Sequence, residues 1–211
     1  MKDKIVIVGG GGHAKVIIGV LKRIAHYNIL GYSDIVDKGP LLGIHYIGKD
    51  EDLVSVIDIH QNCKAALGLG NVQITSHRKT VYNCIKKMGF IFPVIISPSA
   101  VINEDSHIRE GSTILDGVII NPSCIIGRGA IINSNATIEH DCTIGEFTHI
   151  ASGVTISGGV SIGDHCLIGS GSSIIQDLHI TDNVLVGAGA VVVKDIEEPG
   201  VYVGVPARRI K

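Results

Sequence analysis

Tryptophan is absent from the 211-residue chain, and aromatic residues together make up only 4% of it. Charged residues make up 18%, and a formal net charge of −2 gives no electrostatic attraction to nucleic acid or to anionic membranes. No apolar run approaches the ~20 residues that a membrane-spanning helix needs, so we expect no membrane partner. The amino-terminal MKDKIVIVGG leads into a predicted strand rather than a signal peptide.

Paired cysteine motifs are also absent: the five cysteines are odd in number, and none has CxxC spacing. This usage is typical of a reducing compartment, so we expect a cytoplasmic protein without a cysteine-based metal site. Apolar residues, in contrast, reach 45%, which suits a globular chain with a sizeable core. The 27 glycines need a reason beyond ordinary core packing.

Four of these glycines lie in VIVGGGGHAKVI, residues 6–17, between an apolar strand pattern and a helical pattern. Gly9, Gly11 and Ala14 match the G-x-G-x-x-[GA] spacing of dinucleotide-binding loops. Because backbone N–H groups at such a loop and at a helix N-terminus attract any phosphate, the motif predicts a nucleotide site without naming the nucleotide. Asp34, at the end of the next predicted strand, is placed to bond a ribose or a base edge.

Strand and helix patterns alternate over residues 1–96, which predicts a small Rossmann-like domain, a parallel sheet with helices on its faces. The predicted strands are Lys4–Val8, Asn28–Tyr32, Ala65–Leu69 and Phe90–Ile96, and the predicted helices are Ala14–Ala25, Asp50–Ile57 and Ile74–Lys87.

A six-residue repeat occupies the second predicted domain, residues 97–211. The second position of sixteen consecutive blocks is aliphatic, from Ile102 to Val192. A period of six fits neither an α-helix nor a single strand, and predicts a β-solenoid with three sides and 18 residues per coil, or just over five coils. Glycines are expected at its tight corners. Three cysteines fall at the small inward position and are assigned to the core: Cys124, Cys142 and Cys166.

Nearly the whole chain resembles the hexapeptide-repeat sugar O-/N-acetyltransferases, a family that includes bacillosamine-pathway UDP-4-amino-sugar N-acetyltransferases and sialic acid O-acetyltransferases. The resemblance rests on GGGGH, LGLGN at 67–71, IEHDCTIGEFTHIASG at 138–153 and the ending VYVGVPARRIK. It implies a left-handed β-helix, whereas the general rule for parallel crossovers favours the right hand. It also implies a homotrimer, with acetyl-CoA bound between subunits and a nucleotide-sugar bound by the N-terminal domain.

The resemblance assigns roles to single residues. His140 matches the general base, Asp141 a residue that raises its basicity, and Asn133 a nearby hydrogen-bond donor. A base with a pKa near 7 suits an amine or hydroxyl that must lose a proton as it attacks a thioester. The acetyl-CoA positions are His149, Ser170 and Ala188. The nucleotide-sugar positions are Gly11, Gly12, His13, Ser33, Asp34 and Gly70. An alternative role for His13 is to cap the helix that it opens.

The resulting prediction is an acetyl-CoA-dependent N-acetyltransferase that acts on a nucleotide-linked 4-amino-4,6-dideoxy sugar for bacterial surface glycans, with no metal. Three alternatives remain at this point. One is an O-acetyltransferase of sialic acid or another sugar hydroxyl, and another is a dinucleotide-binding sensor with a structural solenoid. The third is a zinc site formed by His140, His149 and His165, which the N-terminal domain disfavours because zinc-binding hexapeptide proteins generally lack one.

The spacing of His140 and His149 predicts a site shared between subunits. The two residues are nine apart, which is half of an 18-residue coil, and therefore lie on opposite sides of the predicted prism. If both serve one reaction, the reaction site forms between neighbouring copies, as a cyclic trimer allows.

Overall fold

The computed structural model describes residues 2–70, 73 and 76–211, and it forms two compact units with a boundary between Pro98 and Ser99. The elements of the first unit are β1 (Asp3–Val8), α1 (Gly12–Ile24), β2 (Tyr27–Ser33), a 3-10 turn (Asp50–Asp52), α2 (Leu53–Ile59), β3 (Lys64–Leu67), α3 (His77–Lys87) and β4 (Ile95–Ile96). The predicted start of α3 at Ile74 lies outside the described residues. No helix of the described residues is long and apolar enough to cross a membrane.

The sheet of the first unit is parallel, with strand order β2-β1-β3. The last four residues of β1 are fully buried, as expected for a central strand covered on both faces. Helix α1 buries Ile17, Ile18 and Leu21, and each side chain of this size contributes about 1.5–3 kcal/mol when it leaves water. The predicted Rossmann-like architecture is therefore confirmed.

One predicted strand, Phe90–Ile96, is wrong as a continuous element. Ile91 forms a single parallel bridge to Lys64, and the chain becomes extended again only in β4. Pro93 lies between these segments, and a proline has no N–H to give to a sheet ladder.

The second unit is a parallel β-solenoid. Between Val101 and Val192, where every residue is described, sixteen short strands follow one another. They are β5 (Val101–Ile102), β6 (His107–Ile108), β7 (Thr113–Ile114), β8 (Ile119–Ile120), β9 (Ile125–Ile126), β10 (Ile131–Ile132), β11 (Thr137–Ile138), β12 (Thr143–Ile144), β13 (His149–Ile150), β14 (Thr155–Ile156), β15 (Ser161–Ile162), β16 (Leu167–Ile168), β17 (Ser173–Ile174), β18 (His179–Ile180), β19 (Val184–Val186) and β20 (Val191–Val192).

Every third strand pairs in parallel, so the solenoid has three faces, and the first strands that the second unit contributes to them are β5, β6 and β7. The face that contains β7 is extended at its far end by β21 (Gly200–Val203) and the antiparallel β22 (Arg208–Arg209). Partners are 18 residues apart, for example Ile132 and Ile150, as the repeat predicts. Five full coils and the start of a sixth are thus confirmed.

The repeat also places the core and the corners. Cys124, Cys142 and Cys166 are fully buried in the apolar core, which confirms their predicted position. The fifth residue of the block has a left-handed φ at fifteen successive corners, from Asp105 to Gly189, but only seven of these residues are glycine. Corners therefore explain only part of the glycine content.

Candidate active site

The GGGGH loop follows β1 at the carboxyl edge of the parallel sheet. The Gly9 N–H donates to the carbonyl of Ser33 over 2.8 Å, and the Gly68 N–H donates to the carbonyl of Val8 over 2.7 Å. A methyl group built at Gly70 would lie 3.3 Å from Cβ of His13, so the segment after β3 reaches the same loop. This edge of an open parallel sheet is where such folds bind ligands.

The first turn of α1 has the features of an anion-binding helix N-terminus. Its N-cap residue, Gly11, makes no side-chain cap hydrogen bond, and the first turn, all of it described, contains no acidic residue. The first N–H groups and the positive end of the helix dipole are therefore not neutralised by the helix's own side chains. A methyl group at Gly11 or Gly12 would meet nothing within 4 Å, so the space beside the loop is open. His13 is the second residue of the helix, and the alternative that it is the cap is wrong.

Asp34 binds the loop itself. Its Oδ2 accepts the Gly10 N–H and the Lys38 ammonium, each over 2.7 Å, and its Oδ1 accepts the Ile35 N–H over 2.7 Å. Burial disfavours the charged carboxylate, but these three donors outweigh it and hold the pKa of Asp34 below its ordinary value. A carboxylate offers about four acceptor positions, so Asp34 can also receive a donor from a ligand.

A cleft of about 180 Å³ lies beside this loop. It is lined by Gly9, Asp34, Ile35, Asp50, Leu69, His77 and Val81. This volume is below the roughly 300–1,000 Å³ of pockets that enclose a whole drug-sized ligand, so the cleft has room for only part of a ligand of that size.

One of the predicted nucleotide-sugar positions, Ser33, is placed differently from expectation. Ser33 is fully buried, and its hydroxyl donates to Asp50 Oδ1 over 2.7 Å, so it orients a residue of the cleft. Sequence reasoning missed two residues that line the cleft, Asp50 and the exposed His77, because neither belongs to a motif. Asn71 of the LGLGN motif lies outside the described residues.

His140 and Asp141 form an exposed pair at the corner after β11. Asp141 occupies the left-handed corner position, φ +60°, and its Oδ2 lies 2.7 Å from Nδ1 of His140. The hydrogen bond to Asp141 raises the pKa of His140 above its ordinary value, against a smaller effect of burial, and Glu139 adds to the increase. With its Nδ1 proton directed at Asp141, the neutral imidazole carries its lone pair on Nε2, the atom that can accept a proton.

Asn133 lies at a different corner from His140. It follows β10, and its Nδ2 is 3.2 Å from Nε2 of His149 on β13. Within one chain, Asn133 therefore lies beside His149 and not beside His140. His149 is 8% exposed, and the exposed Ser170 and Ala188 occupy successive coils at the corner where Asn133 lies. The three predicted acetyl-CoA positions thus follow one edge of the solenoid.

The histidines of the zinc alternative are dispersed over the solenoid. His140 follows β11, His149 is on β13, and His165 lies between β15 and β16, where its ring stacks on Phe147. Across the described parts of the chain, no group of three or more potential metal ligands comes together.

Replacement of Asp141 by asparagine should move the acidic limb of the pH–rate profile to lower pH and lower the rate less than loss of His140 does. Without the carboxylate the imidazolium is less stabilised, so its pKa falls and the neutral base forms at lower pH. Asparagine tolerates the left-handed corner conformation, so the fold should persist. The pH dependence of kcat measures this shift, and an unmoved acidic limb would contradict the role of Asp141.

Comparison with known proteins covers both units. Residues 4–85 match the family PglD N-terminal domain. Residues 105–139, 123–158 and 159–194 match the family bacterial transferase hexapeptide (six repeats). A comparison with curated proteins gave no match.

Similarity to solved structures extends over the full length. A histidine-to-alanine variant of GDP-perosamine N-acetyltransferase from Caulobacter crescentus, in complex with CoA and GDP-perosamine, is 31% identical with a TM-score of 0.93, over 99% of this chain and 97% of that one. The chain belongs to the hexapeptide-repeat sugar acetyltransferase family. The acetyltransferase domain of PglB from Neisseria gonorrhoeae, in complex with acetyl coenzyme A, is 28% identical with a TM-score of 0.92, over 100% of both chains.

This membership confirms the predicted enzyme class, an acetyl-CoA-dependent sugar acetyltransferase of the hexapeptide family. WeeI from Acinetobacter baumannii, 24% identical with a TM-score of 0.88 over 99% of this chain and 100% of that one, supports the fold alone.

Proposed function

We propose that this sugar acetyltransferase transfers the acetyl group of acetyl-CoA to the amino group of a nucleotide-linked 4-amino-4,6-dideoxy sugar. The observation that carries the proposal is the full-length similarity to an N-acetyltransferase crystallised with CoA and GDP-perosamine. The uncapped first turn of α1 and the open space at Gly11 and Gly12 support a role of the N-terminal domain in holding the diphosphate. We assign the protein to the cytoplasm, where surface-glycan precursors and acetyl-CoA are available to it.

In the proposed reaction His140 is the general base. The amine nitrogen attacks the thioester carbonyl, the new N–C bond forms, and the C–S bond breaks to release CoA. Nε2 of His140 takes the proton that the amine loses, and the proton then leaves to the CoA sulfur or to solvent. Asp141 stabilises the imidazolium through Nδ1. Because the thioester is already activated, no covalent acyl-enzyme is required.

A panel of acceptors tests the reaction directly. The purified protein is offered acetyl-CoA with UDP-, dTDP- and GDP-linked 4-amino sugars, matched 4-hydroxy sugars and sialic acid, and CoA release is measured. N-acetylation of one amino sugar is the expected result. Turnover of the hydroxy acceptors alone would establish O-acetylation instead, and NAD(P) binding without any turnover would favour the dinucleotide sensor.

We also propose a homotrimer in which His140 of one subunit and His149 of a neighbour serve one site. In support, the two residues lie on different sides of the solenoid within one chain, His140 after β11 and His149 on β13. Inactive His140→Ala and His149→Ala variants, dissociated, mixed and reassembled, should regain part of the wild-type activity, because some hybrid interfaces keep both histidines. A monomeric mass under assay conditions, or mixed variants that stay inactive after verified reassembly, would rule out the shared site.

A further inference from the structure

Gly158 is the exception at one position of the repeat. The fourth residue of the block, just before the left-handed corner residue, occurs fifteen times from Glu104 to Ala188, all in the described part of the chain, and only Gly158 is a glycine. Its φ is not in the left-handed region, which Gly159 occupies instead with φ +72°. The backbone therefore accepts any residue at Gly158, and its lack of a side chain needs another explanation.

The imidazole of His140 supplies that explanation. His140 precedes Gly158 by 18 residues and lies at the same corner, one coil earlier. A methyl group built at Gly158 would lie 2.6 Å from Cε1, 2.7 Å from Nε2 and 3.2 Å from Cδ2 of His140. Ordinary carbon contacts are about 3.5–4.0 Å, so a side chain here would overlap the ring on the side of Nε2.

The ring has little freedom to move aside while it keeps its partner. Its Nδ1 lies 2.7 Å from Asp141 Oδ2. The backbone of the pair is held from both neighbouring coils, since the Asp141 N–H donates to the Pro122 carbonyl over 3.1 Å and the His140 carbonyl accepts the Gly159 N–H over 2.9 Å. A side chain at Gly158 would therefore turn the imidazole away from Asp141.

We propose that Gly158 is a positioning residue whose missing side chain leaves the space in which the His140 imidazole is held against Asp141 with Nε2 available to the acceptor. The inference rests on the proposed role of His140 as the base. It adds a steric requirement one coil away from the reacting residue, at a position that makes no hydrogen bond to that ring.

Gly158→Ala tests the proposal. We expect kcat to fall about 10- to 100-fold, since a base misplaced by about 1 Å can cost ~10²-fold, with KM for both substrates within about twofold. The acidic limb of the pH–rate profile should move to lower pH, because a displaced ring loses its hydrogen bond to Asp141 and the pKa of His140 falls. The charges of Glu139 and Asp141 remain and limit the size of this shift. Gln176→Ala, at the same corner one coil further on, is the matched control and should leave kcat and the pH profile unchanged.

A double variant separates this proposal from the role of His140. In His140→Ala the ring is gone, so adding Gly158→Ala should cause no further loss of kcat. If Gly158→Ala alone lowers the melting temperature, the double variant should return to that of His140→Ala. Wild-type kcat and pH profile in Gly158→Ala, or a loss of stability that persists in the double variant, would overturn the positioning role. A fully active His140→Ala would instead overturn the proposed base.

Discussion

His140→Ala is expected to lower kcat by ~10²–10⁴-fold and to leave KM for acetyl-CoA and for the amino sugar largely unchanged, because general-base catalysis typically contributes that factor. The side chains of His140 and Asp141 are 64% and 65% exposed, so removal of the ring leaves no cavity in the core. The loss should therefore appear in kcat with an unchanged melting temperature. Steady-state kinetics over a range of pH, with both substrates varied, measure it.

Cys142→Ala provides the control for this variant. Cys142 is two residues from His140 but is fully buried in the solenoid core, and its thiol donates to the carbonyl of Ser157 over 3.2 Å. Its replacement should lower the melting temperature and leave kcat close to wild type. Wild-type turnover by a folded His140→Ala enzyme across the pH range would show that another residue is the base.

Gly11→Val is expected to raise KM for the nucleotide-sugar about 10- to 100-fold, which corresponds to one lost charge-assisted hydrogen bond of about 1.5–3 kcal/mol. Gly11 has φ −86° and ψ −169°, a conformation open to valine, and its Cβ would enter open space beside the loop. The variant should therefore fold normally while its side chain occupies the volume that a phosphate needs. KM for acetyl-CoA should not change.

Gly19→Ala, on the same helix but a full turn or more from the loop, controls for a glycine replacement in α1. It should keep the wild-type KM for both substrates. Equal KM for the nucleotide-sugar in Gly11→Val and wild type would show that the loop does not hold the diphosphate. Isothermal titration with the free nucleoside diphosphate checks the same point without turnover.

The period of the sequence was sufficient to predict the solenoid and much of its detail. A repeat of six residues gives three faces, 18-residue register and inward cysteines, because each block meets the same local requirements as the one before it. The Gly-rich loop was also predicted from the sequence, since a strand, a loop and a helix follow one another between Asp3 and Ile24. The order of the predicted elements was also correct, apart from the strand that Pro93 interrupts.

The contacts that give the site its chemistry were settled only by tertiary structure. Asn133 contacts His149, and Asp34 accepts a hydrogen bond from the backbone of the Gly-rich loop. Ser33 is buried and donates its hydroxyl to Asp50. The 18-residue register places Gly158 next to His140 but does not say that the imidazole lies over it. Side-chain torsions, burial and competing donors determine which atoms meet, and none of these follows from a repeat period, which describes only the path of the backbone.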